Sequence, residues 1–322
     1  MYLWLGQLLF HVGHEANWGI TLQQLHCWSA GSTPPKHTAS NLTTATRPLE
    51  FGTYRPNPFQ RFIISITRSL PRNWAGRRLG FAFRRIALLG HRGLIDAEVF
   101  GQKMRINPRG NVCEKRVLFT PQFFDPEERL HIAKAARDGF VFIDIGANIG
   151  AYSLFASGHT GKGCTILAIE PQPDVFARLT ENIALNPACG IKAIASAVTD
   201  ADGEILLFLN ADNQGEASIR DLGKSGETKR SITVPAISLL SLVEAENLSH
   251  IDAIKLDVEG AEDIILTAFF GDAPRRFWPQ LIVLENGSAD WQTDCVQLCL
   301  DNGYHRVRNT RMNVLLERQP EC

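Results

Sequence analysis

Residues 141–150 read VFIDIGANIG, and the reading of this stretch decides the fold. Val141, Phe142, Ile143 and Ile145, interrupted only by Asp144, form a short apolar run that suits a strand buried on both faces. Gly146, Ala147, Asn148 and Gly150 come directly after it. Glycine at the first and last of these positions lets the chain turn sharply and lets a ligand come close to the backbone. From Ile149 to Ser157 the residues Ile149, Tyr152, Leu154 and Phe155 have helical spacing. The N-terminus of that helix would aim free N–H groups at a bound molecule. Strand, glycine loop and helix in this order predict a nucleotide-like ligand at the carboxyl end of a parallel strand.

A second unit narrows the ligand. Cys164–Ile169 is another apolar strand, and it ends on Glu170 and Pro171. Glu170 lies 24 residues past Gly146, where a carboxylate can accept hydrogen bonds from both hydroxyls of a ribose. Nicotinamide dinucleotides and S-adenosylmethionine both carry such a ribose. The dinucleotide fingerprint G-x-G-x-x-G is absent, because Asn148 stands where the second glycine would admit a pyrophosphate. Asp144 at the strand end suits a cofactor carrying an ammonium and a sulfonium.

DIGANIG (144–150), IEPQPDVFARLTENIALN (169–186) and IKLDVEGAE (254–262) together resemble the FkbM family of S-adenosylmethionine-dependent methyltransferases, over about residues 97–317. Three separated motifs in the right order make the resemblance specific, whereas GANIG alone would be weak. The resemblance implies an α/β class I methyltransferase fold: a Rossmann-like, doubly wound sheet with an antiparallel last strand, here with an N-terminal extension. It also implies O-methylation of a hydroxyl on a sugar, glycan or polyketide-like small molecule. Asp144, Gly146, Ala147, Asn148, Gly150 and Glu170 are then the candidate cofactor-binding residues. Ser196–Val198, with Ala197 at its centre, lies where class I methyltransferases bind the adenine.

Composition bounds the rest. A chain of 322 residues, 44% hydrophobic, is long enough for one large α/β domain and an appendage. A net charge of -1 gives no case for a nucleic-acid partner. Seven scattered cysteines without C-x-x-C spacing read as reduced thiols in a cytoplasmic enzyme. No run reaches the roughly 18 apolar residues of a membrane span. The opening MYLWLGQLLF lacks a basic flank and is broken by His11, Gly13, His14 and Glu15, so it does not read as a secretory signal.

Three segments are expected: 1–54, poorly structured or lying upstream of the true start; 55–96, an arginine-rich helical extension; and 97–322, the methyltransferase domain. Within the first, Ser29–Pro48 is rich in Ser, Thr and Pro, and His11 and His14 lack a third metal ligand. Phe51–Ile95 holds nine arginines and no acid, interleaved with aromatic and aliphatic residues at helical spacing. Breaks are expected at Pro71 and at an Ala75–Gly76 turn. The plain reading is a pair of helices packing an apolar stripe on the domain with arginines in water. The sharper one is a docking element for an anionic membrane surface or a phosphate-bearing carrier.

Farther along, 97–119 reads as an antiparallel hairpin turning at Asn107–Gly110, and Asp125 as the cap of a helix running to Ala136. Extra strands at 204–209 and 231–234 flank a polar loop, 210–228, which reads as a lid or a disordered segment. Gly215–Ile219 within it resembles a recurrent segment of the FkbM family, and that resemblance implies a substrate-facing role. Strand 251–257 delivers Asp257 and then Glu259, and strand 281–285 delivers Glu285 and then Asn286. The end of the chain reads helix, strand, strand, turning at 308–311.

Asp257, Glu259 and Glu285 are the candidates for holding an acceptor hydroxyl and taking its proton. The alternative is that Asp257 and Glu259 tie down their loop, or that Asp257 binds the cofactor's amino group. Lys255 reads as buried or paired with an acid, and His305 as structural. Asp257, Glu285 and Asn286 offer oxygens of the kind magnesium takes, but nothing in their spacing demands a metal, and no metal ligand is assigned. One rival reading is an NAD(P)-dependent oxidoreductase, opposed by the missing glycine and by the absence of a Tyr-x-x-x-Lys pair. Another is an inactive, partner-binding relative, opposed by the intact motifs.

Overall fold

The computed structural model describes residues 49–209, 230–286 and 291–319, and the backbone of 217–218. The expectations for His11, His14 and residues 1–48, and those for the 210–228 loop apart from the backbone of 217–218, lie outside the described residues.

Helices α1 (Pro58–Ser69) and α2 (Trp74–Ala87) come first, then β1 (Ile95–Val99), β2 (Gln102–Ile106), α3 (Val112–Phe119) and α4 (Pro126–Ala135). The glycine-loop unit is β3 (Val141–Ile145) and α5 (Ala151–Ser157); β4 (Thr165–Ile169), α6 (Pro173–Ala184) and β5 (Ile191–Ile194) come after it. Next are β6 (Ala197–Thr199), β7 (Gly203–Leu209), β8 (Ala217–Ser218), β9 (Arg230–Ser238) and α7 (Leu239–Ala245). The chain continues through β10 (Ala253–Leu256), α8 (Glu262–Asp272), β11 (Leu281–Glu285), α9 (Cys295–Asp301), β12 (Tyr304–Asn309) and β13 (Asn313–Arg318).

The main sheet runs β12-β13-β11-β10-β3-β4-β5. Neighbours from β11 to β5 are parallel, while β13 enters antiparallel between β11 and β12. This is the doubly wound sheet expected, with its antiparallel closing strand. All five residues of β3 are buried, as the apolar run predicts for a strand covered on both faces. Successive strands lie to either side of β3, so the order reverses between β3 and β10, and such a switch point opens a crevice at the carboxyl ends. Register sets which residues meet there. Ile145 is level with Ile169 and Leu256, and Leu256 with Leu284. Gly146, Glu170, Asp257 and Glu285 therefore leave the sheet together. A smaller sheet, β6-β9-β7-β8, flanks it.

Three local expectations are corrected. The hairpin is β1–β2, turning at Phe100 and Gly101, both with positive φ, as a two-residue hairpin turn requires. Asn107–Gly110 leads into a helix instead of a returning strand: α3 is begun by Asn111, whose side chain accepts from the Cys113 N–H. Asp125 is the N-cap residue of α4, as expected, but it makes no side-chain capping bond; at φ 40° it is left-handed, and its carboxylate instead accepts from Arg116 and the Tyr152 hydroxyl. The break between α1 and α2 falls before Trp74, not at Ala75–Gly76. Gly76 lies in the first turn of α2, where a Cβ would stand 2.1 Å from the Pro71 carbonyl oxygen.

Arg105 on β2 is wholly buried, with both carboxylate oxygens of Asp96 and one of Glu181 as acceptors, tying the hairpin to α6. Cys113, Cys164, Cys189, Cys295 and Cys299 are free thiols. No described helix is long and apolar enough to cross a membrane.

Candidate active site

The crevice between β3 and β10 is lined by every candidate cofactor-binding and proton-accepting residue except Gly150. Gly146 and Gly150 each have a packing reason to lack a side chain. Gly146 (φ +76°) lies so close to the next loop that a Cβ would stand 1.9 Å from the Asp257 carbonyl oxygen. Gly150 (φ +87°) abuts Leu179 of α6. Between them Asn148, itself left-handed at φ 52°, accepts on Oδ1 from the Ile149 N–H (2.9 Å) and from Asn111 Nδ2 (2.7 Å). The loop is thus held from within and by the residue that caps α3.

Two buried carboxylates frame the loop. Asp144 Oδ2 accepts from the Ser153 N–H (3.0 Å) and hydroxyl (2.6 Å), while its Oδ1 is buried without a hydrogen-bond partner. Burial pushes its pKa up, and Lys255 opposes the shift. Glu170 accepts from the Asn148 N–H (2.9 Å) and the Gln172 N–H (3.0 Å), and burial pushes it up to about 7. Ala197, on β6 beside Ser196 and Val198, lines the same crevice.

On the opposite rim Asp257, Glu259 and Glu285 converge, with a carboxylate oxygen from each within 4.8 Å of the others. Strand periodicity explains a fourth member: Lys255, two residues before Asp257, points the same way, and its Nζ bonds Asp257 Oδ2. Lys255 is buried, yet the charges of Asp257 and Asp144 raise its pKa over the cost of burial, so it stays an ammonium. Burial works to raise Asp257, but Lys255 and hydrogen bonds from Glu285 and Lys255 hold it below the ordinary carboxylate range. Burial and the Asp257 charge push Glu285 up to about 11. The two carboxyls share a hydrogen bond, and the opposite directions of their shifts favour the proton on Glu285. Glu259 sits at φ 55°, a left-handed conformation that a non-glycine residue adopts at a cost, next to Gly260 at φ 91°. The third residue of the oxygen cluster is this Glu259.

Several lining residues escaped the sequence reading. Arg116 bonds Asp125 (3.0 Å), which also accepts from the Tyr152 hydroxyl (3.1 Å), and the Tyr152 ring lies 4.9 Å from Lys255 Nζ. Tyr152 counted only as an apolar helix position, Arg116 belonged to a supposed hairpin, and Asp125 to a cap. The Lys255–Asp257 spacing did carry a signal, since residues two apart on a strand share a face. His305, on β12, is not among the residues lining the crevice.

A Rossmann-like sheet with an antiparallel strand inserted before its edge, and acidic residues at the ends of β3, β4, β10 and β11, define the class I methyltransferase architecture. Residues 144–313, just over half of the chain, match the methyltransferase FkbM domain, and the chain belongs to that family. It is similar to the hexuronic acid methyltransferase AglP of Haloferax volcanii, 30% identical over 137 residues, which cover 42% of this chain and 51% of that protein. It is also similar to the 31-O-demethyl-FK506 methyltransferase FkbM of Streptomyces tacrolimicus, 29% identical over 171 residues, covering 45% and 64%. The chain thus spans between half and two thirds of the length of these two relatives. Among solved structures, M. jannaschii TYW2 in complex with AdoMet covers 71% of this chain and 89% of its own at 14% identity and a TM-score of 0.37, too loose a likeness to carry functional weight.

Proposed function

We propose that this chain is an S-adenosylmethionine-dependent O-methyltransferase acting on a hydroxyl of a sugar, glycan or polyketide-like small molecule. The observation that carries the reading is geometric: one crevice brings the unpartnered Asp144 Oδ1 and Glu170 together with the cluster Asp257, Glu259 and Glu285, in which Lys255 Nζ bonds Asp257 Oδ2. The other rim fits the cofactor. Asp144 Oδ1 is a buried carboxylate oxygen without a partner, suited to an ammonium, and Glu170 keeps free lone pairs for ribose hydroxyls.

When bound, the cofactor would supply a methyl group already activated by its sulfonium. The chain's own work is to orient the acceptor, exclude water and take a proton. Asp257 would accept a hydrogen bond from the acceptor hydroxyl and receive its proton. A weakly basic carboxylate suffices, because a hydroxyl oxygen becomes strongly acidic as it gains a bond to carbon. Glu285 and Lys255 fix the orientation of that carboxylate, and Tyr152 walls the site beneath Lys255.

A nicotinamide dinucleotide fits less well. Asn148 stands where the dinucleotide fingerprint has its second glycine, and its side chain is committed within the loop, accepting from the Ile149 N–H and from Asn111 Nδ2. The likeness to a hexuronic acid methyltransferase and to a 31-O-demethyl-FK506 methyltransferase supports hydroxylated acceptors of the classes named. Incubation of the purified chain with methyl-labelled S-adenosylmethionine and a panel of free hexuronic acids, glycosides and macrolide alcohols tests the reading. Label in an alkali-stable methyl ether is the expected product. Transfer confined to alkali-labile esters, or to nitrogen, would refute O-methylation of a hydroxyl.

A further inference from the structure

We propose that the outward face of α2 docks on an anionic lipid bilayer. Among the described residues, seven of the twelve large hydrophobic side chains left exposed lie between Phe59 and Leu89. On α2 the inward face is made of small residues, Gly76, Gly80 and Ala87, which let the helix sit close to α1 and α3. Its other side carries Trp74, Arg78 and Arg85 along one stripe, and Leu79 and Ile86 along the next, all exposed. Trp74 is 71% exposed, with the Arg78 guanidinium 4.7 Å from its ring. A helix that turns Trp, Leu and Ile outward between arginines has the make-up of one lying in a membrane interface. Its apolar side chains enter the acyl boundary while the guanidinium groups stay at headgroup level.

Charge fixes the partner. From Phe51 to Ile95 there are nine arginines and no acid, in a chain whose net charge is only -1. The surface therefore suits negatively charged headgroups, and the aliphatic residues between the arginines favour a bilayer over a nucleic acid, which offers no apolar interior. Position adds a consequence. A groove bordered by Arg77 and Phe81 of α2 shares Arg116, Asp125 and Met312 with the catalytic crevice. On the methyltransferase reading, an acceptor held at the membrane surface would have a path to Asp257.

Co-sedimentation of the full chain with phosphatidylcholine vesicles, with and without about a third phosphatidylglycerol, tests the docking. Binding is expected to the anionic vesicles only, and to fall with salt. Arg78→Gln with Arg85→Gln should weaken it about thirtyfold, taking roughly fivefold per arginine at a membrane surface. Leu79→Ser with Ile86→Ser should weaken it at least about tenfold through lost apolar burial. These side chains are exposed, so both double variants should keep the parent melting temperature. Absence of binding, or anionic binding that both variants retain, would overturn the proposal. So would a single-stranded RNA bound as tightly as the vesicles and unaffected by the Leu79 and Ile86 changes.

Discussion

Gly146 and Asp257 are in backbone contact: a Cβ on the glycine would stand 1.9 Å from the aspartate's carbonyl oxygen. The loop after β3 and the loop after β10 are thereby fitted to one another, one bearing the proposed cofactor residues and the other the proposed acceptor of the proton. Gly146→Ala should consequently damage both. The left-handed backbone alone costs about 1–2 kcal/mol, and the clash adds to it. Thermal unfolding should show a destabilisation of at least about 2 kcal/mol together with weakened binding of S-adenosylhomocysteine. Unchanged stability with selective loss of binding would mean that the glycine serves only ligand approach.

The opposite pKa shifts of Asp257, held down, and Glu285, pushed up, predict different outcomes for two conservative substitutions. Asp257→Asn removes the proton acceptor and should lower kcat by roughly 10²- to 10⁴-fold with little change in cofactor affinity. Glu285→Gln replaces a protonated carboxyl with an amide that still donates to Asp257, so activity should stay within about tenfold of the parent, whereas Glu285→Ala should lose most of it. Steady-state kinetics of the three variants decides the matter. Equal loss in Asp257→Asn and Glu285→Gln would assign the proton to the wrong member of the pair.

On the proposed cofactor role of Glu170, binding should depend on pH. Burial raises it to about 7, so the free site holds this proton more tightly than an exposed carboxyl does. The ionised form is the better acceptor of ribose hydroxyls, so affinity for S-adenosylhomocysteine should rise as pH increases through about 7 and level off above it. Glu170→Gln should bind more weakly above that range and show a flatter profile between pH 6 and 8. Titration calorimetry across that range checks the sign; a parent affinity that falls with rising pH contradicts it.

Much of this site could be read from the chain because its parts obey local rules. The apolar run before Gly146 and the acids that end β4, β10 and β11 each announce a strand end, and parallel strands bring such ends to one edge. Lys255 was harder to place in the site, since a lysine in an otherwise apolar strand is explained only when Asp257 and Asp144 are seen to keep it charged. Arg116, Tyr152 and Asp125 come together across three elements, and no spacing in the sequence reports that meeting. Alternation in 97–119 imitated strands, yet Asn111 with Glu114 three residues later already carried the signature of a helix start. Asp125 stands at the expected N-cap position of α4, but its side chain joins Arg116 to Tyr152 and bonds no N–H of the helix.

Whether the crevice takes S-adenosylmethionine is tested most simply by titration calorimetry of the purified full chain with S-adenosylhomocysteine, with NADH as the control ligand. Saturable binding of S-adenosylhomocysteine at one site per chain is expected, weakened by Glu170→Gln, with no heat of binding from NADH. Binding of NADH in place of S-adenosylhomocysteine, or of neither ligand by a folded chain, would contradict the assignment of this crevice as a methyl-donor site.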